Sequence, residues 1–158
     1  MIVSLTPAEL RIATWVGRQR FANAMANGRD PGSASHLRWP TPDNHIAGAT
    51  AEWATAIALN LSWRPTIGQI DQPDVGGFVQ VRSTSRRDGS LIIKPGEGGP
   101  FVLAIILNEA VVDVVGWFDA AEATRRYSLR RIPGCDDARY VPQSDLNPLM
   151  ELSNVRAA

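Results

Sequence analysis

The chain has 158 residues, the size of one globular domain and long enough to bury a core. Its 44% apolar and 20% charged content is that of a folded chain, which excludes a disordered one. No apolar run approaches the roughly 20 residues needed to span a bilayer, and a formal net charge of zero argues against a generic polyanion binder.

The opening, Met1-Ile2-Val3-Ser4-Leu5-Thr6-Pro7, lacks a basic stretch, an extended apolar stretch and a small-residue cleavage site, so no signal peptide is expected. A lone cysteine, Cys135, excludes an internal disulfide and a cysteine-based zinc site, and fits a reducing cytosol. Lys94 is the sole lysine and arginine supplies the other basic residues. That bias reads first as a GC-rich genome, although arginine does grip phosphate bidentately.

In chain order, Thr6-Pro7-Ala8-Glu9 opens a helix, with Thr as N-cap, Pro at the first helical position and Glu at the third. Leu10, Ala13, Trp15, Val16 and Phe21 recur at roughly helical spacing with Arg11, Arg18 and Arg20 between them, as far as Asn27-Gly28. Residues 28–46 read as loop. A second, alanine-rich helix is expected over about residues 47–60, buried on most sides. Thr66 to Ile70 is a short strand candidate, and Phe78 to Thr84 a better one because it alternates. Asp88-Gly89 predicts a hairpin turn into Leu91-Ile92-Ile93. Strands follow at Phe101 to Leu107 and Val111 to Phe118, then a short helix capped by Asp119. A brief strand near Tyr140-Val141 and a terminal helix from about Ser144 to Leu152, with Ser144 as cap, complete the chain. No repeat, low-complexity segment or linker interrupts it, so residues 1–158 are read as one domain. The expected class is mixed α/β (α+β), a mixed central sheet of four or five strands flanked by helices and at least partly antiparallel.

Three segments carry chemistry. Glu52 is one carboxylate on an otherwise apolar helix; Asp74 stands where a loop enters a strand; Gln80 and Arg82 share one face of that strand. Two carboxylates and an amide oxygen are the hard oxygen donors that Mg²⁺ or Mn²⁺ takes. Such an ion orients a phosphate and lowers the pKa of a bound water, and a cation beside it neutralises developing charge. The plainer readings are a solvent-facing helix residue for Glu52, a turn residue for Asp74 and the wet face of an edge strand for Gln80 and Arg82.

The ordered set resembles the PD-(D/E)XK nuclease superfamily, in particular a group of small phage and prophage proteins of that class. The resemblance rests on Gly48-Ala49-Thr50-Ala51-Glu52-Trp53-Ala54, Asp74-Val75-Gly76-Gly77, Gln80-Val81-Arg82-Ser83-Thr84, Gly116-Trp117-Phe118 and Val141-Pro142-Gln143-Ser144-Asp145-Leu146. It implies a restriction-endonuclease-like core and Mg²⁺- or Mn²⁺-dependent hydrolysis of DNA, as an endo- or exonuclease. Glu52, Asp74 and Gln80 would be the metal ligands and Arg82 would stand where the family has lysine. It also implies a phage or prophage protein in the cytoplasm of a bacterial host. A homodimer or higher oligomer is a further expectation, because a domain this small needs a second copy to cut both strands. Gln80 in place of Glu removes a negative charge, and Arg82 in place of Lys cannot readily donate a proton. These departures open the alternative of a catalytically impaired nuclease-like fold that binds nucleic acid or a host protein as an accessory factor.

Around this set, Lys94 is an auxiliary candidate if the hairpin places it opposite Ser83, and His45, seven residues before Glu52, is a second. Trp15, Trp53 and Trp117 read as core. Arg125-Arg126 and Arg130-Arg131 read as solvated surface ahead of DNA-phosphate contacts.

Overall fold

The capping signal at Thr6 produces the first helix as the sequence predicts. In the computed structural model, which describes residues 1–28, 42–68, 72–131 and 137–155, α1 spans Pro7–Ala26. Thr6 Oγ1 accepts from the Glu9 amide, and Glu9 Oε2 accepts from the Thr6 amide at 2.7 Å, so two orphan donors of the first turn are satisfied reciprocally. The second helix, α2 (Asp43–Leu59), starts earlier than expected and takes His45 into its first turn; it ends at Asn60, which adopts the left-handed conformation at φ 52°.

The sheet consists of β1 (Ile2–Ser4), β2 (Gln80–Thr84), β4 (Pro100–Ile106) and β5 (Val111–Asp119) in the order β1-β5-β4-β2. β4 and β5 form an antiparallel hairpin, β1 adds antiparallel to β5, and β2 lies parallel to β4. A separate antiparallel pair joins β3 (Leu91–Ile93) to β6 (Arg139–Val141). Between them lies α3 (Ala120–Arg126), whose N-cap Asp119 accepts from the Ala121 and Glu122 amides. A 3-10 turn (Gln143–Asp145) and α4 (Leu149–Val155) close the described chain. The fold is a mixed α/β arrangement of the expected class.

Two cores follow from the alternation of side chains along the strands. On one face Val79, Val81, Val102, Ala104, Val112 and Val114 pack beneath α1 and α2. On the other, Phe101, Leu103 and Phe118 pack against Leu91, Ile93 and Val141 of the two-stranded pair. Small residues let the helices sit close. A Cβ at Gly17 of α1 would lie 2.5 Å from the Ile46 Cα of α2.

Several expectations change. Asp88-Gly89 does turn the chain, but β2 and β3 do not pair; β2 takes β4 as its neighbour and β3 takes β6. The reason is burial: Leu91 and Ile93 are fully buried only by crossing beneath the sheet to the Phe101–Phe118 core. Lys94 is therefore not opposite Ser83. The expected terminal helix breaks in two around Asn147 and Pro148, because Asn147 exchanges both backbone hydrogen bonds with Trp117. Ser144 lies inside the 3-10 turn and bonds Asp145, so it is no helix cap. Strand β1 carries no readable period at three residues; pairing with β5 creates it. Thr66 to Gly68 is not strand, and the rest of that candidate, with Cys135, lies outside the described residues. Trp15 is 57% exposed rather than core, whereas Trp117 is buried.

Candidate functional site

Along α1, Ala13, Val16, Gly17 and Arg20 fall at i, i+3, i+4 and i+7, one stripe that faces α2. Arg20 is thereby carried to Glu52, which is 5% exposed on the buried face of α2. Its guanidinium forks onto the carboxylate, Nη1 to Oε1 at 2.5 Å and Nη2 to Oε2 at 2.9 Å, while Nε donates to the Thr66 carbonyl at 2.9 Å. Trp63 Nε1 donates to Glu52 Oε2 at 3.0 Å, and its ring lies 4.5 Å from that of Trp53. Both oxygens of Glu52 are engaged. Burial opposes the Arg20 charge, but Glu52 and then Asp74 outweigh it and raise its pKa.

Asp74 has a different setting. The turn after it needs left-handed backbone at Gly76 and Gly77, φ 62° and 79°, which only glycine adopts at little cost. Folding back, the Asp74 amide donates to the Val79 carbonyl at 2.9 Å and its Oδ2 accepts from the Val81 amide at 2.8 Å. Asp74 thus satisfies the Val81 amide of β2, the edge strand of the sheet, and the Val79 carbonyl just before it. Burial, reinforced by the Glu52 charge, pushes its carboxyl up to about 6, against the lowering pull of the Val81 amide, Arg20 and Arg82. Glu52, Arg20 and Asp74 form one electrostatic unit spanning α1, α2 and the sheet edge.

Gln80 and Arg82 do not join Glu52. Val79 and Val81 point to the helices, so the alternation of β2 turns Gln80 and Arg82 to the other face. Arg82 lies over the Phe101 ring, 5.0 Å from its centroid, and pairs with Glu97. Glu97 Oε2 also accepts from the Lys94 amide at 2.7 Å, which places the Lys94 backbone beside Arg82 by a route the expected hairpin did not foresee. Gln80 Nε2 donates to the Gln72 carbonyl at 3.3 Å. His45 packs edge-on against Phe21, centroids 6.0 Å apart, at the crossing of α1 and α2. It is two turns, about 10 Å along the axis, from Glu52.

The donor set does not fit a divalent ion. Glu52 spends both oxygens on Arg20 and Trp63, Asp74 spends Oδ2 on the Val81 amide, and Gln80 faces the opposite layer. Among the described residues no three His, Cys, Asp or Glu side chains gather as a metal site. Arg20 and Trp63 are the residues that sequence reading missed as partners of Glu52. The signal for Arg20 was present, since it continues the Ala13-Val16-Gly17 stripe.

On the far layer, exposed arginines collect along a connected rim. Arg86 and Arg87 lie in the turn before β3, and Gln143 Nε2 ties that turn to the 3-10 segment through the Arg87 and Gly89 carbonyls at 2.8 and 2.9 Å. The segment's Asp145 accepts from the Tyr127 hydroxyl at 2.5 Å and faces Arg126 at 3.8 Å. Arg139 Nε donates to the Tyr127 carbonyl, and Arg130 bridges to Ala138 beside it. Asp88, Glu122 and Asp137 pair with Arg86, Arg126 and Arg131, whereas Arg87, Arg125 and Arg130 are exposed and form no ion pair among the described residues. No family model, curated protein or solved structure matches this chain.

Proposed function

We propose that this chain binds nucleic acid through its phosphates without cutting it, a nuclease-like accessory protein rather than a working nuclease. The observation that carries the reading is the fork of Arg20 on Glu52, which occupies the carboxylate that metal-dependent hydrolysis would require. The arginine rim supports the binding half. Arg87, Arg125 and Arg130 are exposed and carry guanidinium groups of the kind that contact phosphate bidentately; Gln143 bonds the Arg87 carbonyl, Arg130 exchanges backbone hydrogen bonds with Ala138, and Arg125 lies in α3.

The test is anisotropy of labelled double- and single-stranded DNA in EDTA, with a parallel cleavage assay in Mg²⁺ and Mn²⁺. Binding should persist in EDTA and weaken with salt. Replacing Arg87, Arg125 and Arg130 with Gln should flatten the salt slope by up to about 0.9 for each duplex phosphate that is no longer neutralised. Absence of binding at low salt would refute the proposal.

A second reading, Mg²⁺- or Mn²⁺-dependent hydrolysis of DNA, is favoured by the mutual repulsion of Glu52 and Asp74, since like charges held together are a common setting for a cation. Divalent-dependent cleavage lost in Glu52→Gln would establish it and overturn the first.

A further inference from the structure

A carboxylate held inside a protein needs a positive partner, because burial disfavours its ionised form. Here Glu52 is that carboxylate, 5% exposed on the inner face of α2, and one guanidinium answers it: Arg20 forks onto both its oxygens, while Asp74 at the sheet edge is near enough to feel the charges of both. We infer that Arg20 is the fixed cation of this pocket, doing for charge balance what a bound divalent ion does in a metal site, so that the folded chain neither needs nor takes up a divalent metal there.

The arrangement is built in several ways. Arg20 is anchored by its third donor to the Thr66 carbonyl, which fixes the plane of the guanidinium. Trp63 donates to Glu52 Oε2 as a second, neutral donor, and its ring is wedged on Trp53. The Arg20 side chain is 16% exposed and that of Glu52 7%, so water screens the pair little. Lysine could supply the charge but not the fork, as an ammonium cannot span two carboxylate oxygens while also reaching a backbone carbonyl in one plane. Pairing of Glu52 underlies both this inference and the proposed function, yet metal uptake and stability are separate from DNA binding.

Thermal unfolding of the full chain in EDTA and in Mg²⁺, Mn²⁺ or Ca²⁺, with calorimetric titration of Mn²⁺, tests it. The wild type should unfold at the same temperature in all four and show no saturable Mn²⁺ binding. Arg20→Met should lower Tm by roughly 10 °C in EDTA, because the buried Glu52 carboxylate is left without its counter-ion. Divalent ions should then raise Tm in a saturable way, and Arg20→Met combined with Glu52→Gln should lose that response. Arg20→Lys keeps the charge and serves if Arg20→Met does not fold; it should remain indifferent to metal. A saturable divalent stabilisation of the wild type that Glu52→Gln abolishes would overturn the inference. So would a folded Arg20→Met that responds to no cation. Neither result depends on whether DNA binds.

Discussion

Asp74→Asn should stabilise this protein at neutral pH, although Asp74 is a candidate site residue. Its carboxyl titrates near 6 in the folded chain against an ordinary value of 3.8, because burial and the Glu52 charge disfavour the ionised form. Between those values the folded state holds a proton that the unfolded chain has released. Stability therefore falls as pH rises through that window, and the loss is complete above about pH 6. A rise from 3.8 to about 6 corresponds to roughly 3 kcal/mol. Asparagine resembles the protonated acid and its Oδ1 can still accept from the Val81 amide, so the edge of β2 stays satisfied. Urea unfolding of both proteins should show little difference near pH 4 and a gain of up to about 3 kcal/mol for Asp74→Asn near pH 7. In a Glu52→Gln background the gain should shrink without vanishing, since burial is the larger cause. A difference that is flat with pH, or an Asp74→Asn protein less stable at pH 7, would refute the reasoning.

Two further substitutions probe the packing around the same unit. Gly17→Ala raises helix propensity by about 1 kcal/mol, yet its Cβ would lie 2.5 Å from the Ile46 backbone. Overpacking of this kind costs about 1–3 kcal/mol or more, so a net loss in chemical denaturation is expected, and a gain would show that the helices can part freely. Trp63→Phe keeps most of the ring stack on Trp53 and removes only the donor to Glu52. A loss of about 1.5–3 kcal/mol is expected for a hydrogen bond to a charged group; a loss below about 0.5 kcal/mol would mean that Arg20 alone satisfies Glu52.

The amino-acid sequence by itself determined the helices and most strands, because their causes are local. The Thr6–Glu9 capping box, the alanine run of α2, the Gly76-Gly77 turn and the period of residues 78–84 each act within a few residues. It also marked Glu52 as a carboxylate on a buried face. Pairing partners were decided only in three dimensions. β2 and β3 are neighbours along the chain, yet the burial of Leu91 and Ile93 beneath Phe101 separates them, and no local signal encodes that exchange. The same holds for the candidate site. Gln80 and Arg82 follow Asp74 closely along the chain, but the pleat of β2 turns them away from the helix face where Glu52 lies. Glu52 instead meets Arg20, thirty-two residues earlier, because the stripe through Ala13, Val16 and Gly17 brings α1 against α2. Spacing along a chain fixes which residues share an element and a face; what a buried charge meets across the core is fixed by how those faces pack.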